Sequence, residues 1–101
     1  MDFSNWTTKE LATKLRASAS LRLLDVRDPD EFAAGHIRGA VLLPLSRLKV
    51  RLPEMDPQRE YALICRSGNR SGQAALIMQQ AGFQRVHNVT GGMLAWRGPV
   101  I

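Results

Sequence analysis

The 101 residues contain one cysteine, Cys65, and no Asp or Glu after Glu60. A lone cysteine excludes an intrachain disulfide, a Cys-x-x-Cys redox pair and a zinc knuckle, and it fits a reducing, cytoplasmic compartment. The missing acids exclude a carboxylate pair or carboxylate metal cage built from the last stretch. Two histidines and one cysteine, widely scattered, make poor metal-ligand spacing, so neither a metal nor a cofactor is expected. Only six aromatic residues occur, with no basic helix or basic-aromatic interleave, so nucleic acid is not an expected partner. The run Ala40–Leu43 is ended by Pro44, far short of a bilayer span, so no membrane insertion is expected. The opening Met-Asp-Phe-Ser-Asn lacks a basic region followed by an apolar one, so no signal peptide is expected.

The charge that is present is unevenly placed. Residues 1–60 carry ten Lys/Arg against nine acids, whereas residues 61–101 carry Arg66, Arg70, Arg85 and Arg97 unopposed. The net +5 therefore lies almost wholly in the C-terminal part. With 45% hydrophobic residues, the length suits one globular domain over residues 1–101.

Punctuation along the chain alternates strands with helices. Thr7-Thr8-Lys9-Glu10 has capping-box form and predicts a helix over Thr8–Ala17. Leu21–Val26 reads as a buried strand. Asp28-Pro29-Asp30-Glu31 opens a short helix that Gly35 can stop, and Ala40–Leu43 is a second strand. Leu45–Leu52 reads as one helix with Leu45, Leu48 and Leu52 on a single face. Tyr61–Ile64 is a short apolar run of the kind buried in a parallel sheet. A polar loop, 65–70, precedes a helix over Ser71–Gly82 with Ala74, Ala75, Ile77, Met78 and Ala81 inward. Arg85–Val89 is a further strand, Gly91-Gly92 a turn and Met93–Arg97 a last short helix. This pattern predicts an α/β fold with a mainly parallel sheet, in which ligands bind beyond the carboxyl ends of the strands.

Cys65 falls at such a strand end. A thiolate is favoured by nearby arginine and by free N–H groups at a helix start. Arg66 and Arg70 flank the thiol, and Gly68 permits a positive φ that would turn successive N–H groups inward as an anion-binding nest. The other reading of Cys65 is a small buried hydrophobe that finishes its strand. His36 and His87 fit structural roles, bonded to backbone or to Glu31, better than a role as general base. Arg27 follows a strand end; an ion pair with Asp28, Asp30 or Glu31 is expected, with Asp25 bonding nearby backbone. Trp96 is expected to pack the terminal helix.

Three ordered motifs resemble the rhodanese (sulfurtransferase) family. Leu24-Asp25-Val26-Arg27, then Glu31-Phe32 and Gly35-His36-Ile37-Arg38-Gly39-Ala40, is similar to the family's first signature, with Pro44 at its usual place. Cys65-Arg66-Ser67-Gly68-Asn69-Arg70-Ser71 resembles the active-site loop, and Gly82-Phe83 through Val89-Thr90-Gly91-Gly92-Met93-Leu94-Ala95-Trp96 the C-terminal signature. The resemblance implies a five-stranded, mainly parallel sheet with helices on both faces. It also implies sulfur transfer through Cys65, with Arg66, Ser67, Gly68, Asn69, Arg70 and Ser71 as the substrate-binding loop. The expected donor is a small sulfur anion such as thiosulfate, or another persulfide donor, and the acceptor cyanide or a thiol, including one of the thioredoxin kind. Arg70 either binds the donor or braces the loop.

Two other functions are weighed against this one. One is a persulfide carrier or non-catalytic module docking on a partner protein; the intact Cys65 argues against a degenerate module. The other is a cysteine-dependent phosphatase, which needs Cys-x₅-Arg to hold a tetrahedral phosphate. Position 71, where that arginine would fall, is Ser.

Overall fold

The computed structural model describes residues 3–101. Its strands are β1 (Ser4–Trp6), β2 (Arg22–Asp25), β3 (Val41–Leu42), β4 (Glu60–Ile64) and β5 (Arg85–Val89). Between and after them run α1 (Thr8–Ala17), α2 (Pro29–Ala34), α3 (Leu48–Arg51), α4 (Asn69–Gln80) and α5 (Gly92–Ala95). All five strands pair in parallel in the order β1-β5-β4-β2-β3. β4 is therefore the central strand, and Tyr61–Ile64 are buried on both faces, as a continuous apolar run requires.

Helices cover both sides. One face packs Leu24, Val26, Leu63 and Val86 against Leu48 of α3 and Ala74, Ala75 and Met78 of α4. The other packs Leu23, Ala62, Ile64 and Val89 against Leu11 of α1, with Met93 and Trp96 closing its end. Glu10 N–H donates to Thr7 Oγ1 at 3.1 Å and Thr7 N–H to Glu10 Oε1 at 2.9 Å, which is the predicted capping box of α1. Among the described residues no helix is long and apolar enough to cross a membrane.

Four local expectations change. β1 supplies the fifth strand of the expected sheet at a place the residue pattern does not mark, being three residues long, mostly exposed and too short to show alternation. It is pinned by His87, whose ring stacks on Trp6 at 3.8 Å, contacts Ser4 Oγ through Nδ1 and Glu60 through Nε2 at 2.7 Å. The helix expected over Leu45–Leu52 is broken into a 3-10 turn at Leu45–Arg47, α3, and a second 3-10 turn at Leu52–Glu54. Pro53 cannot donate the next α-helical bond, so the last turn tightens. Ala81, expected inward, is exposed at the end of α4. Finally, α4 begins at Asn69 and not at Ser71, which bears directly on the thiol.

Candidate active site

Cys65 follows immediately on β4, at the carboxyl edge of the sheet and in its middle. Its residue is 1% exposed, and the loop that follows wraps the sulfur. Gly68, at φ 102°, is the N-cap of α4. An L side chain rarely adopts that conformation, so the backbone angle and not lack of space favours glycine here. With α4 starting at Asn69, Ser71 lies in the first turn, where backbone N–H groups have no helical acceptor. Its N–H donates instead to Cys65 Sγ at 3.3 Å, and the Gly68 N–H does so at 3.1 Å.

The loop carbonyls point the other way because α5 claims them. Met93 N–H donates to Cys65 O at 2.9 Å and Leu94 N–H to Arg66 O at 3.0 Å. These are again first-turn donors without helical partners. The close approach requires glycine at position 92: a Cβ there would lie 2.5 Å from both the Cys65 and Arg66 carbonyl oxygens. The Gly91-Gly92 turn of the sequence is thus the clamp that turns the loop's N–H groups toward sulfur.

Burial pushes the Cys65 thiol up, but the Ser71 hydroxyl and the N–H groups of Ser71, Gly68 and Ser67 outweigh it. The net result holds the thiol below its ordinary value. Ser71 is wholly buried, with Oγ 3.4 Å from Sγ. The position that a phosphatase-type loop gives to arginine is therefore occupied by a short hydroxyl packed beneath the sulfur.

The two arginines of the loop part company. Arg66 is exposed. Arg70 forms a bidentate pair with Glu31 of α2 at 2.7 and 2.9 Å. The Arg70 guanidinium and the Asp28 N–H hold the Glu31 carboxyl down at about 2, and Glu31 raises Arg70 in return. Ser67 and Asn69 are exposed at the rim, where Asn69 Oδ1 accepts from Gln73 Nε2 at 3.0 Å.

Arg27 does not pair with Asp28, Asp30 or Glu31. Its guanidinium folds back on Asp25, with Nη2 to Oδ2 at 2.7 Å, and reaches Gly35 O at 2.8 Å. Both residues are buried, so the pair ties the end of β2 to the end of α2. His36 Nδ1 lies 2.8 Å from Phe32 O, a structural contact, and His87 Nε2 is engaged with Glu60, so each histidine has a partner away from the thiol. Trp96 packs the α1 side of the sheet and donates to Pro99 O at 3.2 Å. Among the described residues no group of three or more His, Cys, Asp or Glu converges as a metal site.

One residue at the site was not singled out from the sequence. Asn88, on β5, is buried and accepts the Ser71 hydroxyl at 2.6 Å. The available signal was a polar side chain two residues after Val86, and hence on the same inward face of the strand.

A family model described as "Rhodanese-like domain" matches residues 7–99. YtwF of Bacillus subtilis is 38% identical over 98 residues, spanning 97% of this chain and 94% of that protein. The protein named thiosulfate sulfurtransferase GlpE from Pseudomonas putida is 36% identical over 88 residues, spanning 87% of this chain and 80% of its own. Among solved structures, a rhodanese-like domain protein from Staphylococcus aureus superposes with a TM-score of 0.87 at 33% identity, covering 94% of this chain and 92% of that one.

Proposed function

This chain belongs to the rhodanese-like domain family, and on that premise we propose that it is a sulfurtransferase working through a Cys65 persulfide. The observation that carries the reading is the sulfur held by inward N–H groups of Gly68 and Ser71. Such a cradle favours the thiolate before reaction and a negative outer sulfur after it.

The donor is a small sulfur anion, thiosulfate in the first instance. The Cys65 thiolate attacks its outer sulfur. A new S–S bond forms, the old S–S bond breaks, and its electron pair leaves with sulfite. Arg66, exposed at the mouth, draws in the dianion and offsets charge on the departing sulfite. Arg70, engaged with Glu31, braces the loop. Cyanide or a thiol then attacks the outer sulfur and returns the thiolate. The chain has no second cysteine, so an external acceptor completes each turnover.

The test is intact mass after incubation with thiosulfate, followed by cyanide and a thiocyanate assay. Gain of one sulfur atom, lost on adding cyanide with thiocyanate released, is the expected result. Loading without turnover indicates a persulfide carrier serving a partner protein. Sulfur transfer by Cys65→Ser at the wild-type rate overturns the mechanism. An aryl-phosphate assay, expected to be blank, tests the phosphatase reading.

A further inference from the structure

Hydrogen bonds from the thiol continue past the loop, through buried Ser71 and Asn88, to Asn5 on edge strand β1. Cys65 Sγ–H donates to Ser71 Oγ at 3.4 Å, the Ser71 hydroxyl donates to Asn88 Oδ1 at 2.6 Å, and Asn88 Nδ2 donates to Asn5 Oδ1 at 3.3 Å. A hydroxyl has one proton. While Ser71 gives it to Asn88, the sulfur receives none from that side chain, and this arrangement suits the neutral thiol. A thiolate has no proton to donate, so it gains from Ser71 only if the hydroxyl turns from Asn88 to sulfur.

Asn88 is not free to exchange roles by turning its amide. Its Nδ2 lies 3.5 Å from the Gly68 carbonyl as well as 3.3 Å from Asn5 Oδ1. Rotation would set Oδ1 against a backbone carbonyl that can only accept. Asn88 is 6% exposed and Ser71 wholly buried, so water does not readily come between them. We propose that Asn88 is a positioning residue that holds the Ser71 proton away from Cys65, so that ionisation of the thiol requires the hydroxyl to leave Asn88.

The charged groups around the thiol are Arg66 and Arg70 on its loop, Glu31 on α2, and the Asp25–Arg27 pair at the end of β2. On β5 the charged or titratable residues are Arg85 and His87; His87 precedes Asn88 on the other face of the strand and is engaged with Glu60 at the start of β4. Asn88 is thus a neutral control on the sulfur, separate from those ions. The inference rests on the reading that the Cys65 thiolate is the reacting species.

Cys65 is the only thiol, so alkylation by iodoacetamide as a function of pH reports its ionisation alone. Asn88→Ala frees the Ser71 proton for sulfur and lowers the midpoint. Thiolate at a pH below that midpoint rises roughly three- to tenfold, the worth of about one hydrogen bond. Asn88→Asp, nearly isosteric and acceptor-only, raises the midpoint. Ser71→Ala also raises it, and in that background Asn88→Ala has no further effect. A midpoint that Asn88→Ala leaves in place or raises overturns the proposal, as does an equal shift with and without Ser71. Should Asn88→Ala fail to fold by circular dichroism, Asn88→Asp carries the test. Its shift must at least halve in Ser71→Ala, and an undiminished shift reduces Asn88 to a through-space effect and overturns the proposal. Sulfur loading is measured separately, so a chain that ionises as described yet takes sulfur neither from thiosulfate nor from a small-molecule persulfide refutes the sulfurtransferase reading alone.

Discussion

Glu31 Oε1 accepts both Arg70 Nη1 at 2.7 Å and the Asp28 N–H at 3.0 Å, so one carboxylate joins the start of α4 to the start of α2. Glu31 of the first family-like motif and Arg70 of the cysteine loop, 39 residues apart in the chain, meet at this atom. The pairing uses the planar fork of Arg70 on protein and leaves Arg66 facing solvent.

The pH dependence of stability should carry this pair. Glu31 ionises at about 2 in the folded chain against 4.5 ordinarily. A lowered carboxyl contributes fully above the higher value, and the contribution fades as pH falls from 4.5 through about 2. Both side chains are roughly a third exposed, so the gain is about 1 kcal/mol after solvent screening. Urea unfolding of Glu31→Gln should show that deficit at neutral pH, narrowing toward wild type near pH 2.

Arg66 and Arg70 should separate kinetically. Arg66→Ala raises KM for thiosulfate while changing stability by less than about 0.5 kcal/mol, as an exposed side chain would. Arg70→Lys keeps the charge but loses the bidentate fork, so about 1 kcal/mol of stability and the rate of sulfur loading fall together. Equal KM increases for both, with stability intact, would assign Arg70 to the donor instead.

Removing Asp25 strands the Arg27 guanidinium in a site where the residue is 7% exposed. Asp25→Ala should destabilise by about 3–5 kcal/mol, since a buried charge is left unpaired. The double variant Asp25→Ala, Arg27→Met should recover much of that loss in thermal unfolding, because the ion and its desolvation are removed together.

Gly92→Ala drives a Cβ into the Cys65 and Arg66 carbonyl oxygens at 2.5 Å, at a backbone φ of +56°. Something must shift, at roughly 1–3 kcal/mol or more. The loop moves with it, so Cys65 alkylation should lose its low-pH reactivity. Gly39→Ala is the control: it also carries a positive φ, but nothing lies within 4 Å of its Cβ. It should lower stability and leave the thiol titration unchanged.

Local chemistry dictated much of this protein. The capping box Thr7–Glu10, the Pro29 helix start and the apolar run Tyr61–Ile64 each act over a few residues, so alternating strands and helices were readable directly. The placement of Cys65 at a strand end, followed by Gly68 and flanked by arginines, was legible for the same reason. Long-range partnership was not. Which acid Arg27 chose, that Arg70 turned to Glu31, and that Asn88 reached Ser71 from another strand depend on sheet order and helix packing. β1 exists only because β5 offers it an edge, and its three residues carry no periodic signal of their own. Residue types and their spacing alone were enough for a one-thiol α/β chain with a basic loop. Tertiary structure decided which of those cations faces solvent, and which neutral side chain holds the proton next to sulfur.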